Sequence, residues 1–257
     1  MTEIELIKNV FTTDFFNVIK KNDEYDISSK DGQFCLKISF YENEIIVYKL
    51  EKCNANGTLL LNLVEKIAEK MPNYRLITLI DDSKINTKCK YDGASLAIDL
   101  ATLKILTKGM SWYNSLGYVS SNFEEEKEHN DEILKMPFED ALQMATNNKN
   151  VKTTSKKILD DAHNLFPDIN MQMETGAYVN KLVESINYRF DSSDDLSCQK
   201  YKFIKDLVDI LSYLLEYDFS LFKRIRRPVP VTGGKTKKKK TKRRKIKGRK
   251  TKRRKVM

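Results

Sequence analysis

Three parts of this chain carry side chains that could do chemistry. The first is "SWYNSLGY", Ser111 to Tyr118, where a helical pattern stops and a strand-like one begins. A phenol at such a junction can donate a proton without bringing net charge. The octet also reads as a plain helix end. Gly117 stands where a left-handed C-cap is needed, and Trp112, Tyr113 and Leu116 have the spacing of core packing. The second part is a set of acids just past expected strands, Glu51 after one and Asp81 and Asp82 after another. Loops at strand ends build sites, but acids there also serve as solvated turn or cap residues. The third is the basic run near the C-terminus.

Cys35, Cys53, Cys89 and Cys198 are scattered, with no C-x-x-C pair, and the two histidines, His129 and His163, are far apart. This spacing offers no metal ligand set. It reads as free thiols in a reducing compartment.

The net charge of +10 belongs to one segment. Lys235 to Lys255 holds 16 Lys or Arg and no acid; taking those from 46 basic residues leaves 30 against 36 acids, or −6, for the rest. The segment has almost no apolar residue and is expected to be disordered when free. Its Lys237, Lys238, Lys239, Lys240, Arg243, Arg244, Arg249, Arg253 and Arg254 are the expected contacts to nucleic-acid phosphates. It has no aromatic residue for base stacking, so the binding is expected to be non-specific between sequences, with DNA, RNA or anionic lipid as partner.

The elements that must position these residues follow from periodicity. Glu3–Lys20 reads as one helix on Ile4, Ile7, Phe11, Phe15 and Val18. Asn22–Gly32 reads as polar turn. "FCLKISF" and "IIVYKL" read as a hairpin, Leu59–Met71 as a helix capped by Asn56 or Thr58, and "LITLI" as a central strand. A polar loop then leads to a helix over "ASLAIDLATLKILT" and a short strand over Tyr118–Phe123. Helices follow, the strongest over Ser197–Tyr217, whose wide apolar face calls for cover by an intramolecular bundle. Pro228, Pro230 and Gly233–Gly234 read as a linker. No run of 18 apolar residues is present. The expected organisation is 1–125 an α/β domain, 126–227 a helical region and 228–257 a polybasic tail.

Tyr113, Leu116, Gly117 and Tyr118 spell Tyr-x-x-Leu-Gly-Tyr. This resembles the Y-x-x-L-G-F signature near the end of the catalytic core of GNAT-type N-acetyltransferases. The order of elements over about a third of the chain, Gln33 to Phe123, is similar too. In that family a strand ends in a glycine-containing loop, and a helix, a strand, a helix, the signature and a last strand follow. The family loop reads Arg or Gln, x, x, Gly, x, Gly or Ala; here it is Asn54-Ala-Asn-Gly57-Thr58-Leu59, with only the middle glycine kept. The resemblance implies a central mixed sheet flanked by helices and acetyl-CoA-dependent N-acetyl transfer to an unknown acceptor. It implies Tyr113 as the general acid, and Asn54, Asn56, Gly57 and Thr58 at the cofactor pyrophosphate. Gly57 is equally an ordinary strand-to-helix turn. The alternative function is a non-catalytic nucleic-acid-associated protein on a degenerate form of the same fold. The Gly-Gly-Lys-Thr-(Lys)n ending resembles tails on proteins of large DNA viruses, and "SLAIDLATLKILTKGMSWYNSLGY" is similar to segments of GNAT-like proteins from them. That implies an intracellular viral protein in the nucleus, a virus factory or the virion.

Overall fold

A computed structural model describes residues 2–12, 14–51, 53–91 and 93–225. The chain divides into two units, Met1–Arg226 and Arg227–Met257. The second, with the expected tail and its basic residues, lies outside the described residues.

The sheet begins with a short helix, α1 (Glu3–Val10), started by a capping box in which Thr2 N–H donates to Glu5 and Glu5 N–H to Thr2 Oγ1. The helix expected over Glu3–Lys20 stops there. Phe16–Lys21 is instead strand β1, and Phe15, a member of the expected stripe, is left 69% exposed. The expected turn of Asn22–Gly32 contains β2 (Glu24–Ser29), whose Tyr25, Ile27 and Ser29 are buried at every second residue. Cross-strand pairing from Phe16 opposite Ser29 to Lys21 opposite Glu24 decides both corrections. A two-residue period that buries one face outweighs weak local helix preference.

The expected hairpin is present as β3 (Phe34–Tyr41) and β4 (Glu44–Leu50), and α2 (Gly57–Lys70) and β5 (Leu76–Ile80) follow. The next correction concerns Lys84–Asp99, expected as polar loop and helix start. It forms a hairpin, β6 (Lys84–Tyr91) and β7 (Ala94–Asp99), with Gly93 in the turn at φ +80°. The helix begins only at α3 (Leu100–Lys108), where Asp99 accepts from Thr102 N–H at 2.6 Å.

After the one-turn helix α4 (Trp112–Ser115), only Val119 of the strand expected at Tyr118–Phe123 makes a bridge, to Phe222. Five helices then run before the chain returns: α5 (Phe123–Lys135), α6 (Phe138–Thr146), α7 (Ser155–Leu165), α8 (Thr175–Ser185) and α9 (Asp195–Leu211). The return is β8 (Ser220–Arg224), a strand inside the segment expected to be helical. The main sheet has the order β1-β2-β3-β4-β5-β8, with β4 and β5 parallel and its other pairs antiparallel.

Two cores result. Ile7 and Phe11 join Leu60, Val64 and Ile67 of α2 against Ile27, Leu36, Ile38, Ile45 and Ile77 of the sheet. Each aliphatic side chain buried this way contributes about 1.5–3 kcal/mol. The other core gathers Leu142, Leu182, Ile204, Leu207 and Leu211, and Cys89, Leu96 and Ile98 of the β6–β7 hairpin belong to it. Phe138 and Tyr178 stack in it with centroids 3.8 Å apart. The wide face of α9 is thus covered from within the chain.

The four cysteines are not free thiols. Cys35 pairs with Cys53 and Cys89 with Cys198, with Cα atoms 5.3 and 5.6 Å apart. Sequence spacing hid this because β3 meets the loop after β4, and β6 meets α9, only in the fold. The argument for a reducing compartment goes with the free thiols.

Asn130 secures the return to β8: its side-chain amide donates to Glu216 C=O at 2.7 Å and accepts from Glu216 N–H at 2.9 Å. Asn130 is 3% exposed, so truncation strands two backbone groups away from water. Asn130→Ala is expected to cost about 2 kcal/mol, read as a lower urea midpoint in which sheet and helices still unfold in one transition.

Candidate functional site

The site grows from the one parallel pairing in the main sheet. Register runs from Glu44 opposite Leu76 to Val47 opposite Leu79 and stops there. Beyond it β4 continues along β3 to Leu50, while Ile80 continues along β8 opposite Ser220. The β3–β4 register shifts so that Lys37 faces Lys49 and Ile38 faces Val47, leaving Tyr48 as the extra residue of a bulge. The two parallel strands therefore part, and the last residues of β4 have no strand on their β5 side. A groove of about 980 Å3 fills the gap.

The N-terminus of α2 opens onto this groove. Asn56 caps it, its side-chain oxygen accepting from Leu59 N–H at 2.7 Å. The first two amides, of Gly57 and Thr58, make no hydrogen bond among the described residues. Asn54 is held from the other side, donating to Asp31 at 2.8 Å. Asn54, Asn56 and Gly57 line the groove; Thr58, though at the same helix start, does not. Gly57 has a packing reason to be glycine. A Cβ there would lie 2.7 Å from Cη2 of Trp112, far inside contact distance.

The octet fills the groove wall. Ser111 and Asn114 cap one another, with Asn114 N–H donating to Ser111 Oγ at 3.3 Å and Ser111 N–H to Asn114 Oδ1 at 3.0 Å. The turn closes as a Schellman motif: Tyr118 N–H reaches Tyr113 C=O, Gly117 N–H reaches Asn114 C=O, and Gly117 is left-handed at φ +85°. The helix-end reading of Gly117 is thus what the backbone does, and Tyr113 still lies in the groove wall with Trp112. Tyr113 is 7% exposed, and its hydroxyl makes no hydrogen bond among the described residues. Burial, and then the charge of Asp81, pushes its phenol well above the usual tyrosine range. At neutral pH it is a neutral donor.

The strand-end acids are all engaged. Asp81 is fully buried; it accepts from Tyr217 Oη and from Ser83 Oγ, each at 2.6 Å, and from Ser83 N–H at 3.3 Å. Glu51 pairs with Lys49, and Asp82 with Lys84 at 2.9 Å. Lys104 of α3 lines the same groove and has no carboxylate partner among the described residues. Sequence reasoning missed Lys104 and Ser83, since the wall they form exists only because the β6–β7 hairpin lifts α3 into place. It also missed the contact of Trp112 with Gly57, which joins residues 55 positions apart. The nine basic residues expected to meet nucleic acid lie outside the described residues.

Tyr74 is pushed up to about 12, by burial first and then by its bond to Glu3. Tyr113, Tyr118, Tyr178 and Tyr217 are also raised, with burial the largest cause in each. Their folded values lie above the unfolded value near 10, so the stability they contribute is complete below pH 10 and lost as pH rises through the folded values. Melting temperature is expected to hold up to about pH 10 and then fall, with the phenolate absorbance of these buried tyrosines appearing only together with unfolding. Phenolate absorbance that saturates near pH 10 in the folded protein would count against this burial.

Compared with protein-family models, with curated proteins and with solved structures, the chain matches none.

Proposed function

We propose that the chain binds acetyl-CoA in the groove between β4 and β5 and transfers its acetyl group to an amine. One observation carries this reading: a helix N-terminus, an unpaired strand edge and a neutral phenol line one continuous groove. Each suits one part of the ligand. The Gly57 amide, unbonded among the described residues and at the positive end of α2, suits a diphosphate. The unpaired edge of Tyr48–Leu50 suits an extended arm bearing amides, which can bond as a strand would. Acetyl-CoA supplies the thioester, whose sulfur leaves as a thiolate. Tyr113, protonated at neutral pH, holds the proton that such a leaving group needs. The order antiparallel hairpins, crossover helix, parallel strand and Tyr-x-x-Leu-Gly-Tyr turn also supports the resemblance to GNAT-type enzymes.

The three strand-end acids are tied up in hydrogen bonds or ion pairs, so none is offered as the base. The amine would enter neutral or lose its proton to water. The basic segment Lys235–Lys255 would hold the chain on nucleic acid and raise the local concentration of acceptors there. Retention on DNA or RNA should fall steeply with salt, by about 0.9 in slope for each duplex phosphate neutralised.

Gly57 is a poor place to test the site, because any side chain there displaces Trp112. Asn56→Asp is better: aspartate caps a helix as well as asparagine does but sets a carboxylate where the diphosphate would lie. Calorimetry should show acetyl-CoA binding weakened by about tenfold or more, a loss of about 1.4 kcal/mol, with the melting temperature unchanged. Tyr113→Phe should keep that affinity and lower turnover by about 10²–10⁴. Wild-type protein that shows no heat with acetyl-CoA would end the proposal.

A further inference from the structure

Among the described residues, few bonds hold the loop that delivers α2 to the groove. Between the end of β4 at Leu50 and the first residue of α2 at Gly57, Glu51 N–H bonds to Cys35 C=O at 2.9 Å, and Asn54 reaches Asp31 through one exposed hydrogen bond at 2.8 Å. Asn54 and Asn56 are themselves exposed. The strong anchor is covalent. Cys53 sits three residues before the N-cap and lines the groove, and its partner Cys35 is a fully buried residue of β3. The bond joins the loop before α2 to strand β3, closing a loop of sequence separation 18.

We propose that the Cys35–Cys53 disulfide is the positioning device of this site: it holds the Asn54–Gly57 backbone in its ligand-ready form, so ligand affinity depends on the oxidation state of this pair. The ligand half of this rests on the proposed transfer site; the ordering of the loop does not. A loop ordered beforehand spares the ligand the cost of ordering it, and that cost returns when the bond is cut. Reduction is a two-electron step. A dithiol such as dithiothreitol attacks through its thiolate, the S–S bond breaks, Cys35 and Cys53 each end as a thiol, and the dithiol closes into its cyclic disulfide. Cys53, half-buried on the groove, is the sulfur within reach, and Cys35 is the leaving thiolate. By linkage, a ligand in the groove must favour the oxidised form by the same factor by which oxidation favours the ligand.

The second disulfide is a built-in control. Cys89–Cys198 ties β6 to α9 in the helical core, and neither residue lines the groove. Cys53→Ser and Cys198→Ser each remove the more exposed partner and leave a buried sulfur in place. In the full chain without ligand, hydrogen exchange of the Leu59 and Leu60 amides, which donate to Asn56, should speed up by about tenfold or more in Cys53→Ser and stay at the wild-type rate in Cys198→Ser. Acetyl-CoA affinity should fall by about tenfold or more in Cys53→Ser only, with turnover at saturation retained. Unchanged exchange at Leu59 and Leu60 in Cys53→Ser overturns the proposal, as does equal loss in both variants. If Cys53→Ser does not fold, wild-type protein titrated with dithiothreitol gives the same reading, with the order in which the two disulfides open followed by thiol labelling. Faster exchange without acetyl-CoA binding in any form upholds the loop assignment and removes the transfer reading instead.

Discussion

The arrangement depends on a pairing that ends early. Two parallel strands joined by a crossover helix must place their following loops on the same edge of the sheet. When the ladder between β4 and β5 stops at Val47 and Leu79, that edge opens into a cleft with a helix start at its rim. The bulge at Tyr48 adds local twist to β4 and so favours the divergence. The features of the groove follow from that geometry: unpaired backbone on one wall, amides at the mouth and the octet opposite.

The electrostatics around the groove are mostly settled internally. Asp81 lies at the end of β5 with its oxygens taken by Tyr217 and Ser83, so it fixes the return of the chain and raises the neighbouring phenol. Lys49 and Lys84 are neutralised by the acids beside them. What stays available is a polarised helix end, a protonated phenol and the ammonium of Lys104. That set suits an anionic, elongated ligand better than a cationic one.

Much of the central architecture was legible in the sequence, because it is written in local patterns. The alternation of "FCLKISF", the apolar run "LITLI" and the stripe of Leu60, Val64 and Ile67 each specify an element without knowledge of the rest. The octet was legible as a tyrosine next to a helix-ending glycine, and both readings describe the same turn. What escaped was decided by partners distant in the chain. β1 and β2 are polar on one face and become strands by pairing with each other and with β3. Ser220–Arg224 has five residues and little local signal, and it is a strand because β5 has a free edge at that register. Both disulfides and the seat of Trp112 on Gly57 have the same origin.

The late return of β8 makes the sheet contiguous in space but not along the chain. Residues 126–219 leave from one strand edge and come back to the neighbouring position, so α5 to α9 are an insertion into the sheet rather than an appendage after it. A fragment ending near residue 125 would strip β5 of its outer neighbour, deprive Asp81 of Tyr217 and expose a raw strand edge able to recruit other chains. Excising α5 to α9 and rejoining the flanks would not serve either, because it would uncover Leu96, Ile98, Leu103 and Leu106 and leave Cys89 without Cys198, so the two cores have to be kept together.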